Sequence, residues 1–84
     1  MFEVVLSRDA ARSLDRQALQ TRRRILAAIE KLAAYPQKGK KLHGELEGLY
    51  TLRVGGMRVV YEVDSGSKAV VVHAVGPRGD VYKN

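Results

Sequence analysis

Residues 49–63 read LYTLRVGGMRVVYEV, and this stretch decides the fold. Apolar and polar side chains alternate on both sides of the central Gly55-Gly56 pair, which is typical of two half-buried strands. Two adjacent glycines supply the positive φ angles that a tight hairpin turn requires. The stretch therefore predicts an antiparallel β-hairpin with strands over residues 49–54 and 58–63.

Two helices are predicted before this hairpin. Ser7 is a suitable cap for a first helix, in which apolar residues recur at helical spacing. Thr21 is a suitable cap for a second helix, whose apolar face covers residues 25–33. This second helix is expected to end near Tyr35, because Pro36 disfavours helical backbone in the residue before it. A short connection between the helices indicates a helical hairpin.

The remaining segments complete an α+β domain. Residues 2–6 are rich in β-forming side chains and predict a first strand, whereas residues 37–48 are polar and predict a loop. Residues 69–75 are almost continuously apolar, so they predict a central strand that Gly76-Pro77 ends. The order β-α-α-β-β-β predicts one domain over residues 1–84, in which a small, mostly antiparallel sheet packs against an N-terminal helical hairpin.

The composition limits the classes of function. The chain has 84 residues and a formal net charge of +6, and a domain this small favours an exposed groove over a deep metabolite pocket. Such a charge attracts polyanions, although charge alone also fits a domain that it merely keeps soluble. The chain has no cysteine and only two histidines, so it indicates neither a disulfide nor a metal site. With no leader or membrane-spanning run predicted, we expect a cytoplasmic protein.

Two motifs resemble a known family. The run Arg58-Val59-Val60-Tyr61 follows the glycine hairpin, and residues 75–82 read VGPRGDVY. The first motif resembles the RelE/ParE toxin superfamily, in which an Arg, two apolar residues and a Tyr follow a glycine-rich hairpin. The second resembles the RelE-like mRNA interferase branch, in which a glycine precedes a loop Arg and Val-Tyr follows. Length, charge and element order agree over essentially the whole chain.

The resemblance implies a function. Members of this branch are toxins of type II toxin–antitoxin systems and ribosome-dependent endoribonucleases that cleave mRNA in the ribosomal A site. The implied reaction is a metal-independent transesterification, in which the ribose 2′-OH attacks its own 3′-phosphate and leaves a cyclic phosphate and a free 5′-OH. The implied partners are a RelB-like antitoxin, the ribosome and mRNA, with no cofactor and no membrane.

The resemblance also assigns residues to this chemistry. Arg58 matches the strand Arg and is expected to bind phosphate and stabilise the transition state, because a guanidinium matches phosphate oxygens and stays charged. Arg78 matches the loop Arg and is expected to stabilise charge and assist the leaving group. Tyr82 matches the terminal Tyr and is expected to stack on a base or to act as the general base. Lys38, Lys40, Lys41 and Arg53 are expected to hold RNA.

Several alternatives remain open. Arg58 also fits a structural pair with Glu62 or Asp64, and the lysines fit ordinary solvated side chains. Many RelE-like chains carry His before the loop Arg, but this chain has Pro77, so no imidazole serves there. His73 is expected to be a satisfied core residue. Two other functions fit the sequence: a ParE-like inhibitor of DNA gyrase, and a non-catalytic nucleic-acid-binding module.

Overall fold

A five-stranded sheet and two α-helices make up residues 1–77, the part of the chain that the computed structural model describes. The strands are arranged in the order β1-β5-β4-β3-β2, with β1 parallel to β5 and every other pair antiparallel. The predicted α+β fold with a mostly antiparallel sheet is therefore confirmed. The elements are β1 Glu3–Leu6, α1 Arg8–Asp15, α2 Leu19–Lys31, β2 Lys40–Lys41, β3 Leu49–Val54, β4 Met57–Asp64 and β5 Ala69–Pro77.

The hairpin that joins β3 to β4 forms as predicted. Val54 pairs with Met57, and the register continues to Leu49 opposite Glu62. Gly55 adopts a φ of 62°, in the left-handed region that glycine enters without steric cost. Because the turn has only two residues, it fixes which side chains of the two strands face each other.

The first helix begins as predicted, but the bounds of the second differ. The Ser7 hydroxyl accepts a hydrogen bond from the Ala10 N–H at 3.1 Å. The second helix begins at Leu19, before Thr21, and no side chain caps it. It ends at Lys31 rather than near Tyr35. The predicted cap at Thr21 and the predicted end near Tyr35 are thus both wrong. At the C-terminal end, a turn follows the helix, and the Ala33 carbonyl accepts a hydrogen bond from the Phe2 N–H at 2.8 Å.

The segment predicted as a loop contains regular structure. Lys40 and Lys41 form β2, which pairs with β3 at the edge of the sheet. A single turn of 3₁₀-helix, Gly44–Leu46, follows it. A strand of two lysines is too short to produce a periodic pattern, and charged residues are common on sheet edges, where they discourage further pairing.

The prediction for His73 is wrong. The β4–β5 register shifts between Val60 and Tyr61: Val60 pairs with Ala74 and Tyr61 with Val72. This bulge leaves His73 without a cross-strand position, and its side chain is 42% exposed and lies 2.9 Å from Glu62. β5 lies inside the sheet, between β1 and β4, but the middle strand is β4. β5 continues through Gly76 to Pro77 instead of ending before them.

The core lies between the two helices and one face of the sheet, called here the helix face. Side chains from both helices and from β4 and β5 form one buried cluster. Its largest fully buried members are Tyr61, Ile25, Ile29, Leu32, Val59, Val70 and Val72. Within residues 1–77, neither helix is long and apolar enough to cross a membrane.

Candidate functional site

The face of the sheet turned away from the helices, called here the groove face, carries two cross-strand rows that together hold three basic residues. Successive residues of a strand point to opposite faces, so Arg58 lies on the face opposite the buried Val59. Arg58 pairs with Arg53 on β3. Thr51 pairs with Lys40 on β2 and forms the adjacent row. Since side chains paired across strands lie about 5 Å apart at Cβ, these rows place the basic residues together.

A groove of about 540 Å³ lies over these rows. We call it the basic groove, and it is lined by Lys38, Gly39, Lys40, Thr51, Leu52, Arg53 and Arg58. Four of the residues predicted from the sequence, one catalytic and three RNA-binding, therefore line one surface. None of these described lining residues is acidic, so their charges favour an anion.

Of the other three predicted residues, one is described and does not line this groove. Lys41 is exposed and pairs with Tyr50, which in turn pairs with the core residue Tyr61. Lys41 therefore lies on the helix face. Strand geometry separates Lys40 from Lys41, because adjacent strand residues point to opposite faces. Arg78 and Tyr82 lie outside the described residues 1–77.

Glu62 and Asp64, the carboxylates that the sequence offered as structural partners of Arg58, make contacts with other residues. The Glu62 carboxylate lies 2.9 Å from the His73 Nε2. Asp64 accepts hydrogen bonds from the backbone N–H groups of Gly66 and Ser67, at 3.1 and 3.3 Å. Hydrogen bonds from Ser67, above all from its side chain, lower the pKa of Asp64. Glu62 thus contacts a side chain of β5, and Asp64 stabilises the turn after β4.

Gly39 holds the two groove lysines on either side of it against the sheet. Its N–H donates a hydrogen bond to the Tyr61 hydroxyl at 2.8 Å. A Cβ at this position would lie 2.7 Å from both the Thr51 carbonyl oxygen and the Tyr61 hydroxyl, so only glycine fits without a shift. The backbone of Lys38 and Lys40 is therefore fixed by a contact that tolerates no side chain.

Tyr61 supports this contact from the core. Its ring stacks on Tyr50, with centroids 5.3 Å apart and planes 14° apart. Burial raises the pKa of Tyr61, an effect that the hydrogen bond from Gly39 partly opposes. The Tyr61 phenol is therefore neutral at physiological pH, and its role is to position the backbone rather than to transfer a proton.

The arrangement determines what the groove does chemically. Lys and Arg side chains are donors without acceptor atoms when charged, so the four cations of the groove have the chemistry that suits phosphate oxygens and added negative charge. Within residues 1–77, no cluster of three or more His, Asp or Glu side chains forms a metal site. Phosphate binding and charge stabilisation are the functions for which four clustered cations are suited.

Sequence reasoning missed two features near the basic groove. Thr51 is 6% exposed, and its hydroxyl oxygen is buried with no hydrogen-bond partner among residues 1–77. Arg24 and Lys31 of α2 line a second groove beside the first. Their spacing of seven residues, two helical turns, was a signal for a shared face. The basic triplet 22–24 spreads around the helix, with Arg22 half-buried and Arg23 and Arg24 exposed.

Comparison with known proteins supports one family. The family model for the ParE toxin of type II toxin–antitoxin systems matches residues 4–82. The toxin RelE of Mycobacterium tuberculosis is 32% identical, over 98% of this chain and 87% of that protein. The toxin RelG of the same organism is 36% identical, over 71% of this chain and 76% of that protein.

A solved structure shows the same fold. The crystal structure of the toxin–antitoxin complex RelBE2 from Mycobacterium tuberculosis contains a chain that matches with a TM-score of 0.85 and 26% identity. The match covers 92% of this chain and 98% of that chain. The architecture described above is therefore shared over nearly the whole length of the relative.

Proposed function

The chain belongs to the RelE/ParE toxin family of type II toxin–antitoxin systems, and from this premise we propose that it is a ribosome-dependent endoribonuclease that cleaves mRNA in the ribosomal A site. The observation that carries the proposal is the basic groove, where Lys38, Lys40, Arg53 and Arg58 converge. A groove with four basic residues and no acidic one among its described lining suits a polyanionic strand better than a small neutral substrate. The two curated relatives, both RelE-type toxins by name, support this branch of the family.

The proposed reaction is attack of the ribose 2′-OH on the adjacent phosphorus. The O–P bond to the 2′-oxygen forms, the bond from phosphorus to the 5′-oxygen breaks, and the products are a 2′,3′-cyclic phosphate and a 5′-OH. Arg58 binds the nonbridging oxygens and stabilises the extra charge of the phosphorane, while Arg53 and the lysines hold the flanking backbone. No metal or other cofactor enters this scheme.

Arg78 and Tyr82 complete the proposed catalytic set. The sequence places Arg78 two residues after Gly76, and Gly76 pairs with Arg58 across β4 and β5. We assign Arg78 to the leaving 5′-oxygen and Tyr82 to the 2′-OH, since a phenol acts as a base when cations lower its pKa. Lys41 is assigned to RNA outside the groove, since it lies at the edge of the sheet.

The proposed protein partner is a RelB-like antitoxin. The similar structure from Mycobacterium tuberculosis is a toxin–antitoxin complex. The archaeal RelE–RelB complex from Pyrococcus horikoshii also contains a similar chain, with 28% identity and a TM-score of 0.79. That match covers 94% of this chain and 97% of the other. A basic toxin with a net charge of +6 attracts an acidic partner. The proposed location is the cytoplasm, where the ribosome and mRNA are found.

A second candidate function is inhibition of DNA gyrase. It is favoured by the family model that matches, which is that of ParE toxins. A gyrase inhibitor has no need of a phosphate-binding set such as the basic groove, so we rank it second. A non-catalytic nucleic-acid-binding module is a further alternative, which predicts salt-sensitive binding without cleavage.

Primer extension on a defined mRNA tests the proposal. The purified toxin is added to ribosomes that translate this mRNA, and to the naked mRNA in parallel. We expect new ends at the decoding site only with ribosomes, and none with the Arg58→Ala variant. Absence of new ends from a folded wild-type protein, together with inhibition of gyrase supercoiling, would replace the ribonuclease by the second candidate.

A further inference from the structure

A second basic groove lies beside the first, between α2 and β3. This groove, called here the helix groove, has a volume of about 420 Å³. Four of its lining residues are basic and none is acidic, within the part of the chain that is described. Its lining is Arg24, Ala27, Ala28, Lys31, Lys38, Leu52, Arg53, Val54 and Gly55.

One face of α2 forms a wall of this groove. Arg24 and Lys31 are seven residues apart, so they lie on one side of the helix about 10 Å apart along its axis. Ala27 and Ala28 lie between them, and their short side chains keep the floor low. The Arg24 guanidinium leans towards the hairpin turn, since its Nη2 would lie 3.7 Å from a Cβ at Gly55. All four positions are at least partly exposed.

The helix groove is continuous with the basic groove. Lys38, Leu52 and Arg53 line both, so a bound chain passes from one to the other over shared cations. The two grooves together present six basic side chains: Arg24, Lys31, Lys38, Lys40, Arg53 and Arg58. A single phosphate needs no such length, whereas a polyanion with regularly repeated charges does.

We propose that the helix groove binds the sugar–phosphate backbone of single-stranded RNA that extends from the basic groove. Arg24 and Lys31 then contact phosphates beyond those held by Arg53 and Arg58. This inference rests on the proposed function, because it takes RNA as the ligand of the basic groove. An RNA strand fits better than a protein helix, since the alanine floor offers no deep pocket for the large apolar anchors that a protein partner inserts.

Length-dependent RNA binding tests this path. Fluorescence anisotropy measures the affinity of the full chain for labelled oligouridylates of about 4 and about 12 nucleotides, a range that matches known single-strand sites. We expect the longer RNA to bind at least about 10-fold more tightly to the wild type. The double variant Arg24→Ala/Lys31→Ala is expected to lose most of this gain, with less than about a twofold change for the shorter RNA.

The matched control removes the same charge elsewhere. Arg12 on α1 and Arg16, which directly follows this helix, are exposed and line neither groove. The variant Arg12→Ala/Arg16→Ala should keep the gain with length. For the longer RNA, the plot of log K against log salt should become less steep by about 1.4 in the helix-groove variant only. This value corresponds to two lost phosphate contacts at about 0.7 each. Circular dichroism and thermal melting confirm that both variants are folded.

The opposite results are equally specific. Equal binding of both RNA lengths by the wild type, or an equal loss in both double variants, would overturn the inference. Tighter binding of an oligoglutamate peptide than of RNA, lost in the helix-groove variant, would assign this groove to a protein and overturn it too. Cleavage of mRNA on ribosomes by a wild type that shows no length effect leaves the proposed function standing and this path wrong. A length effect without cleavage on ribosomes would support the RNA path and contradict the proposed ribonuclease function.

Discussion

The two faces of the same hairpin have opposite properties. On the helix face, Val59 and Tyr61 have no exposed surface and belong to the core cluster. On the groove face, Arg58 pairs directly with Arg53, one cation opposite another. Alternation along a strand thus separates residues that stabilise the fold from residues that bind the ligand. A register shift of one residue would exchange the two sets, so the short turn at Gly55 protects both at once.

The comparison also shows which face opposes stability. Burying a valine or leucine side chain contributes roughly 1.5–3 kcal/mol, so the helix face favours folding. Like charges directly opposite each other on a sheet are destabilising. The Arg53–Arg58 pair therefore brings two like charges together, and their mutual repulsion opposes folding. Substitutions on the two faces should accordingly have opposite signatures in stability and in activity.

The largest expected effect on stability comes from the helix face. Ile29 of α2 is 2% exposed and packs in the core cluster. Ile29→Ala should lower the free energy of unfolding by about 2–5 kcal/mol, because it removes buried methyl groups and leaves a cavity. Urea unfolding followed by circular dichroism measures this loss. Ribosomal cleavage per folded molecule should stay within about twofold of the wild type, because the groove face is untouched; a larger loss would mean that the two faces are coupled.

The largest expected effect on activity comes from the groove face. Arg58→Ala should lower the rate of mRNA cleavage on ribosomes about 10²–10³-fold, the usual loss when one group that stabilises a transition-state charge is removed. Its free energy of unfolding should fall less than that of Ile29→Ala, because Arg58 lies outside the core cluster. Arg58→Lys is the matched control, which keeps the charge and loses the guanidinium fork. A large loss of stability in Arg58→Ala would instead assign Arg58 to the fold.

Much of this division was predictable from the sequence. The alternation in residues 49–63 and the two-glycine turn predict the hairpin, and a two-residue turn already places position 53 opposite position 58. The resemblance to the family then points to Arg58. The site on the hairpin was therefore accessible without a structure, because local pattern and local pairing coincide there.

Long-range pairing explains what the sequence did not show. β2 has two residues, and only its pairing with β3 makes it a strand and places Lys40 and Lys41 on different faces. The bulge opposite Val60 and Tyr61 exposes His73, although the apolar run around it predicts burial. The close contact of Gly39 with Tyr61 joins segments 22 residues apart. None of these features has a periodic signal of its own.

The smallest expected effect sharpens the comparison at a single atom. Thr51 lies on the groove face, and its buried hydroxyl has no hydrogen-bond partner among residues 1–77. Thr51→Val replaces this hydroxyl with a methyl group of similar size. Because an unsatisfied buried polar group costs about 1–3 kcal/mol, the substitution should raise the free energy of unfolding by about 1 kcal/mol. Urea unfolding of the two proteins in parallel measures the difference.

The same substitution separates a structural hydroxyl from a functional one. In the basic groove, the Thr51 side chain lies beneath the exposed cations, and its buried oxygen is out of reach of a bound strand. We expect Thr51→Val to keep cleavage on ribosomes within about twofold of the wild type while the protein becomes more stable. Thr51→Ser keeps the hydroxyl and should keep the activity. Lower stability with unchanged cleavage in Thr51→Val would show that the oxygen serves the fold, and the groove face would then contribute to stability after all.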